Sequence, residues 1–154
     1  MAEPKRIWWA RPRKLCGLER PGGGGRSHRP ARRAAEIEYL KEAGVRVVIS
    51  LMRSRHNLDH YEQAGLGAIH LPVEEDENGL LEAVEVLRRE TRKRGAVAIH
   101  GNRYTDFVAA ICAAHLRDQR ATAIEDALDA AAEAGLVVTE RSYELAATSV
   151  PLAA

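Results

Sequence analysis

Aromatic residues make up only 5% of the 154 positions: two tryptophans, four tyrosines and one phenylalanine, Phe107. The core must therefore be largely aliphatic, and the stacking platforms that hold single-stranded nucleic acid are scarce, so nucleic acid is not the expected partner. Cysteine is scarce as well. Cys16 and Cys112 stand far apart and form no Cys-x-x-Cys pair, which excludes a disulfide scaffold and suits a reducing, cytoplasmic compartment. No apolar run approaches the roughly 18 residues of a membrane span, and no apolar stretch of a signal peptide follows the first charges. His56, His60 and His70 are spaced by four and then ten, the second and third lie in separate elements, and no Cys or carboxylate set converges on them in sequence. Neither a metal nor another cofactor is expected.

Charge is present in quantity, and unevenly. The net charge of +1 hides ten Lys or Arg against two Glu in residues 1–33, a net of +8, and thirteen basic against twenty acidic groups in residues 34–154, a net of −7. A basic arm on an acidic body can serve an anionic partner, nucleic acid or the body itself. The expected organisation is an arm over residues 1–30, packed in part on the body, followed by a domain over 31–154. Within the arm, the consecutive glycines Gly22 to Gly25 are costly to order and predict a mobile loop.

Periodicity predicts the remaining elements. Ile7 to Trp9 and LCGL at 15–18 suggest short strands, the first at an edge, with Trp8 or Trp9 covered by the body. Pro30 opens a helix to about residue 43, with Ala34, Ile37 and Leu40 on one face and Gly44 as its stop. VRVVISL (45–51), GAIHL (67–71) and AVAIH (96–100) read as core strands. Helices follow over about 57–64, 79–94, 106–117 and 121–134, and ERSYELAA suggests another. The helix at 79–94 begins acidic and ends in RKR, as the helix dipole favours. Strands alternating with helices predict one α/β domain with a central, mainly parallel sheet flanked by helices. Sites in such folds form at the carboxyl ends of strands, where the loop after His100 lies.

Four stretches carry a resemblance: WWARPRKLCGLERP, EIEYLKEAGVRVVISL, AGLGAIHLPVEED and IHGNRYTDFVAAICAAHL. In this order they resemble the dual-specificity and tyrosine phosphatases of the cysteine-dependent superfamily, over about Trp8 to Leu136. The family reads His-Cys, five residues, Arg, Ser or Thr, Gly, then a helix. His100 and Leu116 meet that pattern without a gap, and Ala109, Ala110 and Ala113 fall where the helix packs closely.

The resemblance also locates the departures. The nucleophile position holds Gly101, the phosphate-clamping arginine position Phe107, the loop-glycine position Tyr104 and the hydroxyl position Val108. The general-acid position holds Glu75. Glycine has no atom with which to attack phosphorus, and phenylalanine has no donor for the phosphoryl oxygens. What remains is a degenerate phosphate loop of His100, Gly101, Asn102, Arg103, Tyr104, Thr105 and Asp106. Its backbone N–H groups still offer an anion site, although Asp106 repels phosphate and a loop tyrosine in a glycine position faces backbone strain. Phe107 is expected to fill the hollow left by the arginine, and His100 to be a core histidine bonded to the loop backbone. Cys112 should be a core residue, with Cys16 exposed at an edge. The expected function is that of a catalytically inactive phosphatase-like domain that binds or regulates, with a phosphorylated or anionic protein as ligand. The alternatives are an active hydrolase with another nucleophile, and binding of nucleic acid or another anion through the arm.

Overall fold

A computed structural model describes residues 3–24, 28–102 and 104–148. Five strands form one sheet: β1 (Ile7–Arg11), β2 (Leu15–Leu18), β3 (Val45–Ser50), β4 (Gly67–His70) and β5 (Ala96–His100), in the order β1-β2-β5-β3-β4. Only β1 and β2 run antiparallel; β2, β5, β3 and β4 pair in parallel. The helices are α1 (Pro30–Glu42), α2 (Leu58–Gln63), α3 (Glu77–Glu90), α4 (Asp106–Arg120), α5 (Ile124–Glu133) and α6 (Glu140–Thr148). This is the mainly parallel α/β domain that the alternation predicts. Among the described residues no helix is long and apolar enough to cross a membrane.

Period-two alternation buries both sheet faces. Leu15, Val47, Ile49, Val97 and Ile99 meet one core with α3, α4 and α5, while Cys16, Leu18, Val48 and Ala98 meet another with α1 and α2. Parallel strands are buried this way because crossover helices cover both faces. Every residue of α4 from Asp106 to Leu116 is buried, and its alanines let neighbouring elements approach closely. At Gly17, a Cβ would stand 2.8 Å from Val108 Cγ1 and 3.2 Å from Cys112 Sγ, so β2 and α4 touch through a missing side chain. Pro30 stands in the first turn of α1, and the Asp76 carboxylate accepts the Gly79 N–H at 2.9 Å to cap α3. Gly44 takes the left-handed conformation (φ +89°) that its place after α1 requires.

Several expectations need correction. Cys16 is not at an edge: β1 covers β2, and the thiol is fully buried. Ala34 faces solvent, and only Ile37 and Leu40 of that trio turn inward. The polar residues 117–120 extend α4 by another turn before Ala121 turns left-handed, which delays α5 to Ile124. The glycine loop is held where it is described. Gly22 and Gly23 are buried, the Gly22 N–H donates to Glu36 Oε1 at 2.8 Å, and the Gly23 N–H donates to the Arg20 carbonyl at 2.8 Å. Gly25 lies outside the described residues. Trp8 is buried, and Trp9 donates its indole N–H to the Tyr39 hydroxyl at 3.1 Å.

Candidate functional site

β5 lies between β2 and β3, and its last residue, His100, is fully buried. The hydrogen bonds fix its tautomer. Nδ1–H donates to the Gly101 carbonyl (2.7 Å), so Nε2 must accept, and it does so from the Tyr61 hydroxyl (2.8 Å). That hydroxyl in turn accepts from Asn57 Nδ2 at 3.4 Å. Burial is the main cause that lowers the His100 pKa to about 4, so the ring is neutral at pH 7. Burial likewise raises that of Tyr61. His100 is thus the core histidine expected, holding the loop at its first carbonyl.

The loop crosses the carboxyl end of β5 to the start of α4. Gly101 leaves room for a side chain: a Cβ there would meet only Tyr104 O at 3.7 Å and Val108 Cγ2 at 3.8 Å. Asn102 Oδ1 accepts from Arg20 Nη1 at 3.0 Å. Arg103 lies outside the described residues. Tyr104 is 65% exposed. Thr105 is buried and committed elsewhere: its hydroxyl accepts the Val137 N–H at 2.6 Å and donates to the Val137 carbonyl at 3.3 Å.

Asp106 does not confront the loop. Its Oδ1 accepts the Phe107 N–H (3.0 Å) at the start of α4, and its Oδ2 accepts from Thr139 Oγ1 (3.2 Å) and Arg141 Nε (3.2 Å). A carboxylate of the chain itself therefore occupies the positive end of the helix. Arg141 also donates from Nη2 to Glu75 Oε1 at 2.6 Å, so Glu75 is drawn into an ion pair. Phe107 is 3% exposed and packs into the core while lining a cleft of about 430 Å³. The cleft floor is Leu51, Val73, Phe107 and Val108, and its rim carries Arg53 paired to Glu74 at 2.8 Å.

No protein-family model and no curated protein matches the chain. Solved structures do. Human DUSP28 aligns over 95% of this chain and 95% of its own at 20% identity and TM-score 0.67. TpbA of P. aeruginosa aligns over 89% of this chain and 81% of its own at 15% identity and TM-score 0.68. Tk-PTP in its active form gives 91% and 92%, at 17% identity and TM-score 0.66. The fold is that of the cysteine-dependent phosphatases. At these identities the likeness is one of fold alone.

Within this phosphatase fold neither cysteine reaches the cleft. Cys16 and Cys112 are free and buried, and burial pushes the Cys112 thiol up to about 12 and raises Cys16 well above its ordinary value, so both stay protonated. The histidines considered for a metal do not converge. His70 Nε2–H donates to the Met52 carbonyl at 2.7 Å, and His56 packs edge-on against His28 with ring centres 4.7 Å apart. No group of three potential metal ligands occurs among the described residues. Sequence reasoning missed Arg141, which joins Glu75 to Asp106, and Arg20, which reaches the loop. The one available signal for Arg141 is that it is the sole basic residue after Arg120.

Proposed function

We propose that this chain is a phosphatase-fold protein that transfers no phosphoryl group and acts by binding. One observation carries the reading: Gly101 and buried Phe107 stand where the resemblance puts the nucleophile and the clamping arginine. Phosphoryl transfer by this route needs a thiolate to form a phosphocysteine and a guanidinium to hold the equatorial oxygens. Among the described residues, no thiolate and no guanidinium stands at either of those positions. Thr105 is bonded to the Val137 backbone, and the thiols are buried and protonated. The Asp106 carboxylate takes the helix N-terminus, and Arg141 is held by Asp106 and Glu75.

The cleft retains a binding shape. Its volume lies in the range of small-ligand pockets. An apolar floor with rim charges paired among themselves suits an uncharged group, such as an aromatic side chain of a partner protein, better than a phosphate dianion, whose burial needs counter-charge. Two free buried thiols suit a reducing cytoplasm. The test is steady-state turnover of an aryl phosphate and a phosphotyrosine peptide, together with trapping of a phosphoenzyme. The reading predicts background rates and no trapped species; turnover that scales with protein concentration and survives repurification defeats it.

A further inference from the structure

We propose that Arg20, His28, Arg33 and His56 form a binding site for a phosphate-class oxyanion, beside the cleft and independent of the lost nucleophile position. Among the described residues, four Arg, Asp or Glu side chains are buried: Arg20, Glu36, Glu90 and Asp106. Glu36 pairs with Arg32 at 3.1 Å, Glu90 with Arg46 at 3.1 Å, and Asp106 with Arg141 at 3.0 Å. Arg20 meets no opposite charge. It is 7% exposed, its Nη1 donates only to the neutral Asn102 Oδ1 (3.0 Å) and Met52 Sδ (3.9 Å), and its Nε is buried without a partner. Burying an unpaired guanidinium and an unsatisfied donor is costly, and a chain that neutralises its other buried charges leaves this one for a counter-ion.

The neighbours share that character. Arg33 Nη1 donates to Asn57 Oδ1 at 3.2 Å and to His28 Nε2 at 3.3 Å, both neutral acceptors. His28 can accept because its Nδ1–H is spent on the Gly23 carbonyl at 3.0 Å. Asn57 is locked as well, donating to the Pro21 carbonyl at 3.0 Å. The Arg33 fork is thereby oriented without being neutralised. His56 is exposed and stacks edge-on against His28. Glu36, the buried carboxylate of α1, is committed to Arg32 and the Gly22 N–H. Two arginines beside a histidine pair repel a metal cation and attract an oxyanion, for which guanidinium geometry is suited. The site joins the loop through Arg20 and Asn102, and through Asn57, Tyr61 and His100.

The His56 ring supplies a readout. Burial is the main cause that lowers its pKa, with further lowering by Arg20, His28, Arg33 and His60. A bound anion offsets the positive charge of Arg20 and Arg33 and raises it. The experiment titrates the intact chain with inorganic phosphate and with phenyl phosphate at constant ionic strength, following histidine ring resonances and binding heat. Saturable binding at millimolar concentrations or below is expected, with shifts centred on His56 and His28 and an upward move of the His56 pKa. The tighter of the two probes distinguishes a free ion from a monoester as ligand. Arg33→Gln and His56→Gln, both at solvent-reachable positions, should each weaken binding by several-fold, and together by at least about tenfold. Non-saturable binding, binding unaffected by the double variant, or an unmoved His56 pKa overturns the proposal. Turnover of the phenyl phosphate is a separate readout: it would defeat the inactive reading above and leave this site standing.

Discussion

Phe107, the chain's only phenylalanine, is a packed ring at the start of α4. At 3% exposure it behaves as a core side chain. Phe107→Ala should cost about 3–5 kcal/mol of unfolding free energy, read from urea denaturation, as large-to-small core changes do. Gly101→Cys has the opposite character. The nearest atoms to its Cβ stand at 3.7 and 3.8 Å, so the variant should fold with a melting temperature close to that of the wild type. It should still transfer no phosphate, because no arginine replaces Phe107 to lower the thiol pKa and hold the oxygens. Restoring Phe107→Arg in addition places a guanidinium at a core position and should lower stability whatever it does for activity.

At the scale of elements, the loop is held at both ends by contacts that are distant in sequence. Arg141 on α6 reaches Asp106 across 35 residues and Glu75 across 66, and Arg20 reaches Asn102 across 82. Asp106→Ala removes the acceptor for the Phe107 N–H, the Thr139 hydroxyl and Arg141 together, and should cost about 1–3 kcal/mol in thermal or urea unfolding. Arg141→Ala should cost less, about 1 kcal/mol, since its side chain is 42% exposed and solvent screens the pair. The same distances explain what the sequence could reveal. β3, β5 and α3 were legible because their signals are local: apolar runs, alternation and charge order along one helix. The placement of the loop after His100 was legible for the same reason. The Asp106–Arg141 clip was not, since an ion pair between elements leaves no periodic trace, and Asp106 by itself reads as a repellent in the loop. Cys16 was misjudged because the covering of β2 by β1 depends on sheet order. Gly22 and Gly23 were misjudged because their hydrogen bonds go to Glu36 and Arg20, which flexibility arguments do not see.

The whole molecule carries two neutral buried histidines, His100 at the carboxyl end of β5 and His115 beside Arg11 at the other end of the sheet. His100 and His115 both have pKa values lowered to about 4, chiefly by burial, with Arg11 and Arg120 adding to the effect at His115. A depressed folded-state pKa means that the unfolded chain takes up the proton first as pH falls. Stability contributed by the neutral rings is therefore complete above the unfolded value of about 6.5 and is lost as pH falls toward 4. Each ring contributes a slope of up to about 1.4 kcal/mol per pH unit in that window, so urea midpoints should drop between pH 6.5 and 4. Replacing His100 with Gln should flatten the slope.

The same molecule joins a phosphatase-like fold to a loop that starts at Gly101 and runs into Phe107 of α4, and fold does not fix function. Steady-state turnover of an aryl phosphate tests this most directly, comparing the wild-type chain with the Cys16→Ser, Cys112→Ser double variant. The account predicts background rates from both. Turnover by the wild type that vanishes in the double variant would contradict it with a relocated cysteine nucleophile, and turnover that persists in both would contradict it with a different chemistry in the same cleft.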